Sequence, residues 1–382
     1  MTTGKRDYTL GGNLIRTWSI FVPRQAAIEV SKTLRSKWIN TGAKEKELRE
    51  KACKKWGFHH CVAVCNGTAA LRASLAMLGI GPGDEVVSTP FTFIATNTAI
   101  LEQGAIPVFA DIKYDDLNLD PISIERKISS KTKAIMVVHY GGNPADLDEI
   151  REIGTKHKLP IIEDAAHALG SKYKNDYIGS KGELVCFSLQ VVKIITSGDG
   201  GLIVTSNQDY YQKLKKIIWY GIDREEKKTN LIDPLPDNFK GDKLGFKYNM
   251  NDITATLGIV GIDHFDEAAK KRKIIGERYR NELAGLPKIK LMKYSNDRSP
   301  NYQIFPVHVE NRLRFARYLR GRNIMININN RRNDIYPMFG GFKKDLVSTT
   351  RADQDVILLP IHADLNEDQV SYIIKNVKEA LR

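Results

Sequence analysis

The segment CVAVCNGTAALRASLAMLGIGPGDEVVSTPFTFIATNTAILEQGAIPVFADI, residues 61–112, decides the fold class. Its short apolar runs predict β-strands at 62–65, 86–87 and 106–112. The intervening stretches 68–78 and 92–103 have the apolar spacing of helices, with Thr68 as a cap and Gly79 as a stop for the first. Apolar strands that alternate with helices predict a mainly parallel central sheet flanked by helices.

The same alternation continues to about residue 205. Further apolar runs predict strands at 134–139, 160–163, 184–188 and 202–205. The stretch 145–158, between the first two of these strands, has helical spacing. We therefore expect a large α/β domain over residues 1–250, in which an N-terminal segment precedes the sheet.

After about residue 250 the pattern changes to longer helices and fewer strands. Helices are predicted over 251–279, 312–322 and 367–381. Strands are predicted over 302–309, 324–329 and 356–359. These elements predict a smaller C-terminal α+β domain over 251–382. The polar stretch 223–242, which contains two prolines, predicts a surface excursion.

The composition is that of a globular chain, because 42% of the 382 residues are hydrophobic and 27% are charged. Lys and Arg (58) exceed Asp and Glu (45), which gives a formal net charge of +13. That charge alone fits nucleic acid, an anionic surface or a phosphorylated small molecule. The basic concentrations at 270–280 and 312–322 are helix-like and favour solvated faces, so we expect no nucleic-acid partner.

The sequence lacks the features expected of a membrane span, an apolar leader, a disulfide framework or a zinc site. No window approaches the roughly 18 uninterrupted apolar residues of a membrane span, and the first residues lack an apolar leader. We therefore expect a cytoplasmic protein without a membrane partner. The four cysteines include no CxxC pair, which disfavours both a disulfide framework and zinc, so we expect packed thiols and no metal.

Polar residues follow three of the predicted strands, at the edge where α/β sheets bind ligands. Gly67 and Thr68 stand where a strand turns into a helix, an arrangement that suits a phosphate. An ordinary turn with a threonine cap fits them equally. In IIEDAAHALG, the acids Glu163 and Asp164 precede His167, which indicates either a carboxylate that acts on a ring nitrogen or a helix cap beside a buried histidine.

The third position is CFSLQVVKIITSGDGG, where Ser188 and Lys193 follow a strand. A single lysine in a basic chain is often only solvated. Taken together, however, the three positions supply an anion cradle, a carboxylate and a lysine, which are the groups that pyridoxal 5'-phosphate (PLP) requires. The competing motifs GxxxxGK[ST], HExxH and GxSxG are absent, and GIGPGDE follows a helix instead of opening one.

At this point the sequence resembles the DegT/DnrJ/StrS-type nucleotide-sugar aminotransferases, which are fold-type I PLP-dependent enzymes. The resemblance covers nearly the whole chain. It rests on KWINTG (37–42), NGTAALRASLAMLGIGPGDEV (66–86), PFTFIAT (90–96), VFADI (108–112), VVHYGGNPADLDEI (137–150), IIEDAAHALGSKY (161–173), FSLQVVKIITSGDGG (187–201) and GFKYNMNDITATLG (245–258).

The resemblance implies a role for each matched position. Lys193 matches the lysine that forms the Schiff base with PLP and shuttles the proton, and Asp164 matches the partner of the pyridinium nitrogen. The phosphate-binding positions of the family correspond to Gly67, Thr68 and Ser188.

Two further ring contacts and a subunit contact are implied in the same way. Phe93 matches the aromatic residue that stacks on the ring, and His167 lies where the family has Gln or His near the ring's oxygen substituent. Lys247 and Asn249 match a segment that reaches the phosphate of the neighbouring subunit's cofactor, which implies a homodimer. The family commonly has Asn and Arg at these two places.

Two other departures concern the lysine turn and the sugar nucleotide. Ile194 replaces the polar residue that usually follows the lysine. Where many members have a His-Tyr-Pro segment, this chain has NINNRRNDIYPMF, and we interpret Asn330, Arg331 and Arg332 as contacts to a substrate pyrophosphate.

The resemblance implies a homodimeric aminotransferase of amino sugar and polysaccharide biosynthesis. It would transfer an amino group from an amino acid, with L-glutamate as the expected donor, to the keto sugar of a nucleotide-linked sugar. One alternative is a nucleotide-sugar dehydratase that depends on PLP or on its aminated form, pyridoxamine phosphate (PMP), but those relatives usually have His in place of Lys193. A non-enzymatic regulator is the other alternative, and only the net charge supports it.

Overall fold

The structure, a computed structural model, describes residues 14–223, 244–328 and 331–382. Its strands are β1 His60–Val64, β2 Glu85–Ser88, β3 Ile106–Phe109, β4 Thr132–Val138, β5 Ile161–Asp164, β6 Lys172–Tyr173, β7 Asp176–Tyr177, β8 Val185–Ser188, β9 Gly201–Thr205, β10 Ile289–Leu291, β11 Arg298–Ser299, β12 Phe305–Val309 and β13 Val356–Leu359. Its α-helices are α1 Gln25–Arg35, α2 Ala43–Trp56, α3 Gly67–Met77, α4 Ile94–Leu101, α5 Pro121–Lys127, α6 Leu147–His157, α7 Gln208–Ile217, α8 Asp252–Asp263, α9 Phe265–Leu283, α10 Arg312–Arg320, α11 Val347–Asp355 and α12 Glu367–Ala380.

A seven-stranded sheet in the order β1-β9-β8-β5-β4-β2-β3 lies at the centre of the fold. The strands β3, β2, β4, β5 and β8 run parallel, while β9 and β1 close one edge in antiparallel pairing. Alternate side chains pack on opposite faces, because successive strand residues point to opposite sides. Val62 and Val64 face one apolar core, while Cys61 and Ala63 face the other. The expected mainly parallel, helix-flanked sheet is therefore confirmed.

Several predicted elements differ in detail. Helix α3 begins one residue before the predicted start, and its cap is Asn66, whose side chain accepts a bond from the Ala69 amide, so Thr68 is not the cap. The single helix predicted over 251–279 is divided at His264 into α8 and α9. Over residues 324–328 there are only isolated bridges, at Ile324 and Asn327, where a strand was predicted. Most of the predicted excursion, from residue 224 on, lies outside the described residues.

The C-terminal part contains a three-stranded antiparallel sheet in the order β10-β12-β13. Helices α9, α10 and α12 cover it and share one apolar core with its strands. Helix α8, in contrast, packs against α1 and α2. The Asp252 carboxylate at its start accepts hydrogen bonds from the amides of Gly42, Lys44 and Glu45. The division into domains 1–250 and 251–382 stays a prediction.

Within the described ranges, no helix has the length and apolar character needed to cross a membrane. The same residues contain no cluster of three or more His, Cys, Asp or Glu side chains that could hold a metal ion.

Candidate active site

A cavity of about 360 Å³ opens at the carboxyl ends of β5 and β8, beside the first turn of α3. Seven residues singled out from the sequence line it together: Gly67, Thr68, Phe93, Asp164, His167, Ser188 and Lys193. They come from four separate segments, which the sheet brings to one edge because its parallel strands end there.

The first turn of α3 forms one wall of the cavity. The opening amides of a helix, here those of Gly67 and Thr68, have no preceding carbonyl within the helix to bond, and the helix dipole favours an anion beside them. Gly67 is required by a close approach, since a Cβ atom there would lie 2.9 Å from the Cβ of Ser188. That approach places the Ser188 hydroxyl next to the helix start, and together these groups suit a phosphate.

Asp164, at the end of β5, is 6% exposed and lines the cavity. Its Oδ2 accepts a 2.7 Å hydrogen bond from the Thr96 hydroxyl, and its Oδ1 accepts one of 3.1 Å from the Ala166 amide. Burial raises the pKa of this carboxyl, while the two hydrogen bonds and the charge of Lys193 act against that shift. The carboxylate is therefore held in place by donors on both oxygens.

The neighbouring Glu163 serves a different part of the molecule. Its Oε2 lies 3.0 Å from Nε2 of the buried His139, and its Oε1 accepts a 3.4 Å contact from Arg151. Burial would raise the pKa of Glu163, but these partners outweigh it and the net pKa is lowered. Glu163 is thus a structural ion-pair residue, and Asp164 is the acid of the cavity.

Lys193 lies in the turn that follows β8, where its amide donates to the Gln190 carbonyl at 2.9 Å. Burial lowers the pKa of its ammonium to about 8, although the Asp164 charge favours the protonated form. A lowered pKa increases the neutral, nucleophilic fraction of an amine. Gln303 fixes the turn from the C-terminal part: it accepts from the Ile194 amide and donates to the Val192 carbonyl, each at 2.9 Å.

Two ring residues complete the cavity. Phe93 precedes α4 and leaves 59% of its surface exposed at the cavity wall. Burial and the nearby Lys193 charge hold the pKa of His167 well below its ordinary value, so this imidazole is neutral near pH 7. Ile194, which departs from the family's polar residue, is 2% exposed and packs into the apolar core behind the turn.

Lys247 and Asn249 do not line this cavity. The Lys247 ammonium lies 3.3 Å from the centre of the Trp219 ring. Asn249 lines a second cavity, of about 250 Å³, and its side-chain amide donates to the Thr41 hydroxyl. Their contact with a neighbouring subunit stays a prediction.

The residues interpreted as pyrophosphate contacts have other surroundings. Asn330 lies outside the described residues. Arg331 is half exposed and pairs with Asp353 at 3.1 Å. Arg332 is 1% exposed and makes two 2.6 Å bonds to Asp334, with further bonds to the Thr350 hydroxyl and a backbone carbonyl. These partners occupy the Arg332 guanidinium, so the interpretation of Arg332 as a substrate contact is corrected: it belongs to a buried ion pair.

Sequence reasoning missed several cavity residues, including Thr92, Thr96, Gln190 and Asp199. A signal for two of them was present, since Thr92 and Thr96 stand four residues apart in PFTFIAT, within the stretch 92–103 predicted as a helix. In the structure α4 begins only at Ile94, so Thr92 lies in the loop before it. No comparable local pattern marks Gln303, whose contacts with the lysine turn span 109 and 111 positions.

The chemistry of this donor set fits PLP. The start of α3 and the Ser188 hydroxyl suit its phosphate, Asp164 suits a protonated ring nitrogen, and Lys193 suits its aldehyde carbon. The exposed Phe93 ring provides a flat apolar surface on the same cavity.

Comparison with known proteins gives one consistent result. The profile of the DegT/DnrJ/EryC1/StrS aminotransferase family matches residues 24–378. The UDP-4-amino-4-deoxy-L-arabinose–oxoglutarate aminotransferase of Shewanella sediminis is 32% identical over 375 residues, covering 94% of this chain and 96% of that protein. The crystal structure of the sugar aminotransferase CalS13 from Micromonospora echinospora is similar with a TM-score of 0.89 at 28% identity, covering 96% of this chain and 100% of that one. Spr1654 from Streptococcus pneumoniae, solved in a PLP-form and a PMP-form, has a TM-score of 0.88 at 27% identity, covering 96% of this chain and 98% of that one.

Proposed function

Because this chain belongs to the DegT/DnrJ/EryC1/StrS aminotransferase family, we propose that it is a PLP-dependent aminotransferase acting on a nucleotide-linked keto sugar. The family assignment agrees with the resemblance carried by the sequence motifs. The observation that carries the proposal is the joint placement of Asp164, Lys193 and the first turn of α3 around one cavity. A non-enzymatic regulator would not need a carboxylate, a lysine and an anion cradle at the same place.

In this proposal each cavity residue holds one part of the cofactor. Gly67, Thr68 and Ser188 bind the phosphate, Asp164 pairs with the ring nitrogen, and Phe93 covers the ring. The neutral His167 contacts the ring's oxygen substituent without adding a charge. When bound, PLP supplies an electron sink and carries the amino group between the two halves of the reaction.

Lys193 has two tasks in the proposed reaction. Its Nζ would form the covalent link to the cofactor's aldehyde with release of water, for which a neutral amine is needed, and burial increases the fraction of that form. When free of that link, the same amine would take and return the proton at the reacting carbon. Gln303 keeps the turn in place during both tasks, because it bonds the peptide groups on either side of Lys193.

The substrates follow from the relatives. The Shewanella protein is named for a UDP-linked amino sugar and for oxoglutarate, the keto acid left when L-glutamate gives up its amino group. CalS13 is described as a sugar aminotransferase. We carry both to this chain, with L-glutamate as donor and a nucleotide-linked keto sugar as acceptor. Lys193 favours this reaction over the dehydration of a sugar, since the dehydratases of the family usually have His at that place.

A homodimer and a cytoplasmic location are parts of the same proposal. Lys247 and Asn249, which do not reach their own chain's cavity, are the residues that we expect to contact the neighbouring subunit's cofactor.

The proposal is tested by incubating the PLP-loaded protein with L-glutamate and a panel of keto sugar nucleotides. We expect oxoglutarate and an amino sugar nucleotide to form in equal amounts, with none formed by Lys193→Ala. A sugar that loses water while glutamate is consumed in smaller amounts would show the dehydratase instead. Failure of the protein to bind PLP would overturn the proposed function altogether.

A further inference from the structure

A chain of buried hydrogen bonds leads away from Asp164 into α4. Thr96, which is 1% exposed, donates its hydroxyl hydrogen to Asp164 at 2.7 Å. Its oxygen lies 2.9 Å from the hydroxyl oxygen of Thr92, which is 3% exposed. A hydroxyl has one hydrogen to donate, so when Thr96 bonds the carboxylate, Thr92 is the donor of the second bond. Thr92 thus donates to Thr96, and Thr96 donates to Asp164.

Asn333, from the C-terminal part of the molecule, contacts the Thr92 end of this series of hydrogen bonds. The Asn333 side chain donates to the Thr92 carbonyl at 2.9 Å and accepts from the Asn97 side chain at 2.7 Å. The Asn333 amide donates to the Pro90 carbonyl at 2.8 Å. All three bonds are made by one residue that is 1% exposed, so the loop before α4 has a fixed position against residues 331–334.

The buried ion pair between Arg332 and Asp334 restrains Asn333, which lies between them in the sequence. Arg332 and Asp334 flank it on both sides, and their two 2.6 Å bonds tie the backbone around Asn333 into one turn. Residues 332–334 therefore fix the position of the loop that contains Thr92 and Phe93.

We propose that Thr96 is a positioning residue for Asp164, which keeps that carboxylate ionised and aimed into the cavity, with Thr92 and Asn333 fixing the direction of its hydroxyl. A hydrogen bond donated to a carboxylate stabilises the charged form. Without that bond, the Ala166 amide is the one hydrogen-bond donor to the Asp164 side chain among the described residues, in a buried place where the charged form is already disfavoured. Asp164 then competes with the ring nitrogen for the proton between them. The inference rests on the proposed pairing of Asp164 with the cofactor ring.

The test compares two ligands on the apoprotein, by equilibrium binding and without turnover. One is PLP, and the other is its analogue with the ring nitrogen replaced by carbon, which has no proton to share with Asp164. The variants are Thr96→Val, which keeps the side-chain shape, and Thr96→Ser, which keeps the hydroxyl. The matched control is Thr98→Val in the same helix, because among the described residues the Thr98 hydroxyl bonds the Ala95 carbonyl one turn back and Thr98 does not line the cavity.

We expect Thr96→Val to weaken PLP binding by about tenfold, the usual effect of losing one hydrogen bond to a charged group, and to leave the analogue's affinity unchanged. Thr96→Ser should restore the affinity for PLP, and Thr98→Val should change neither ligand. Thr92→Val, in which Thr96 keeps its bond to Asp164, should act in the same direction by a smaller factor. If Thr96→Val does not fold, the same comparison of the two ligands is made with Thr92→Val.

Equal weakening of both ligands by Thr96→Val, or a serine variant as impaired as the valine variant, would overturn the inference, since packing alone would then explain the effect. Failure of the proposed function is distinguishable. In that case Asp164→Asn itself would leave the preference for PLP over the carbon analogue unchanged, and Thr96 would have no carboxylate role to support.

Discussion

Glu163 and Asp164 are consecutive acids whose carboxylates lie on opposite faces of the central sheet. Asp164 lines the cavity and accepts the Thr96 hydroxyl, whereas Glu163 pairs with His139 and Arg151 on the other face. Successive side chains of a strand point in opposite directions, so only one acid of the pair reaches the cavity. The two acids therefore have separable functions.

The matched variants Asp164→Asn and Glu163→Gln separate them. Asp164→Asn should still bind some PLP but lose turnover by about 100-fold or more, because an amide does not stabilise a protonated ring nitrogen by charge. Glu163→Gln should keep the turnover of the folded protein and lose roughly 1–3 kcal/mol of stability, since it weakens a buried hydrogen-bonded pair. Steady-state kinetics and denaturant unfolding measure the two effects. Near-normal turnover in Asp164→Asn would remove this residue from the ring-nitrogen role.

The lowered pKa of Lys193 predicts how PLP capture depends on pH. Below about pH 8 the ammonium form dominates and cannot attack the aldehyde, so the rate of covalent capture by apoprotein should rise with pH and level off above about 8. Stopped-flow absorbance follows the rate, and borohydride reduction with peptide mapping locates the linked lysine. A midpoint near the ordinary lysine value of 10.5, or a label on a different lysine, would contradict the assignment.

Gln303→Leu should slow this capture without weakening binding of the aminated cofactor, which forms no bond to Lys193. The substitution removes both 2.9 Å contacts that hold Val192 and Ile194, so the amine loses its fixed direction. A rate lower by about tenfold or more is expected from such misplacement. Equal losses in rate and in affinity for the aminated cofactor would instead indicate a general disturbance of the cavity.

Arg332→Met and Arg331→Ala compare a buried ion pair with an exposed one. Arg332→Met leaves the Asp334 carboxylate buried without its partner and should cost about 3–5 kcal/mol of stability. Arg331→Ala breaks an exposed contact to Asp353 and should cost at most about 1 kcal/mol. Thermal and denaturant unfolding provide the measurement. A stable Arg332→Met protein with a raised KM for the sugar nucleotide would restore Arg332 as a substrate contact.

The proposed homodimer is tested by mixing two inactive variants. Subunits with Lys193→Ala and subunits with Lys247→Ala and Asn249→Ala should regain activity in mixed dimers, because one shared site then has all its residues intact. Subunit exchange is confirmed with differently tagged chains. Activity that stays at background after exchange would show that Lys247 and Asn249 act, if at all, within their own chain.

Much of the fold and of the site could be predicted from local patterns. Short apolar runs predicted the strands of the central sheet, and apolar residues at helical spacing predicted most of its helices. Each of the three key polar positions stands at the end of a strand or within a few residues of it. Since parallel strands end at one edge, Gly67, Asp164 and Lys193 could be expected to meet. The motifs around them also carried the family resemblance that the match over residues 24–378 confirms.

The tertiary structure decided the contacts that join residues far apart in the chain. Thr96 and Asp164 are 68 positions apart, and Gln303 lies 109 positions from Ile194, so neither pairing leaves a local pattern. Strand alternation alone separates Glu163 from Asp164 without saying which of them faces a ligand; the family resemblance pointed to Asp164, and the structure places that carboxylate at the cavity. For Arg332, too, the local sequence does not reveal the partner of the side chain, although that partner is only two positions away. The sequence by itself determined that an arginine stands two positions before Asp334. The packing around residues 332–334 then buried both side chains, so that Arg332 pairs with Asp334 and is not available to a ligand's phosphates.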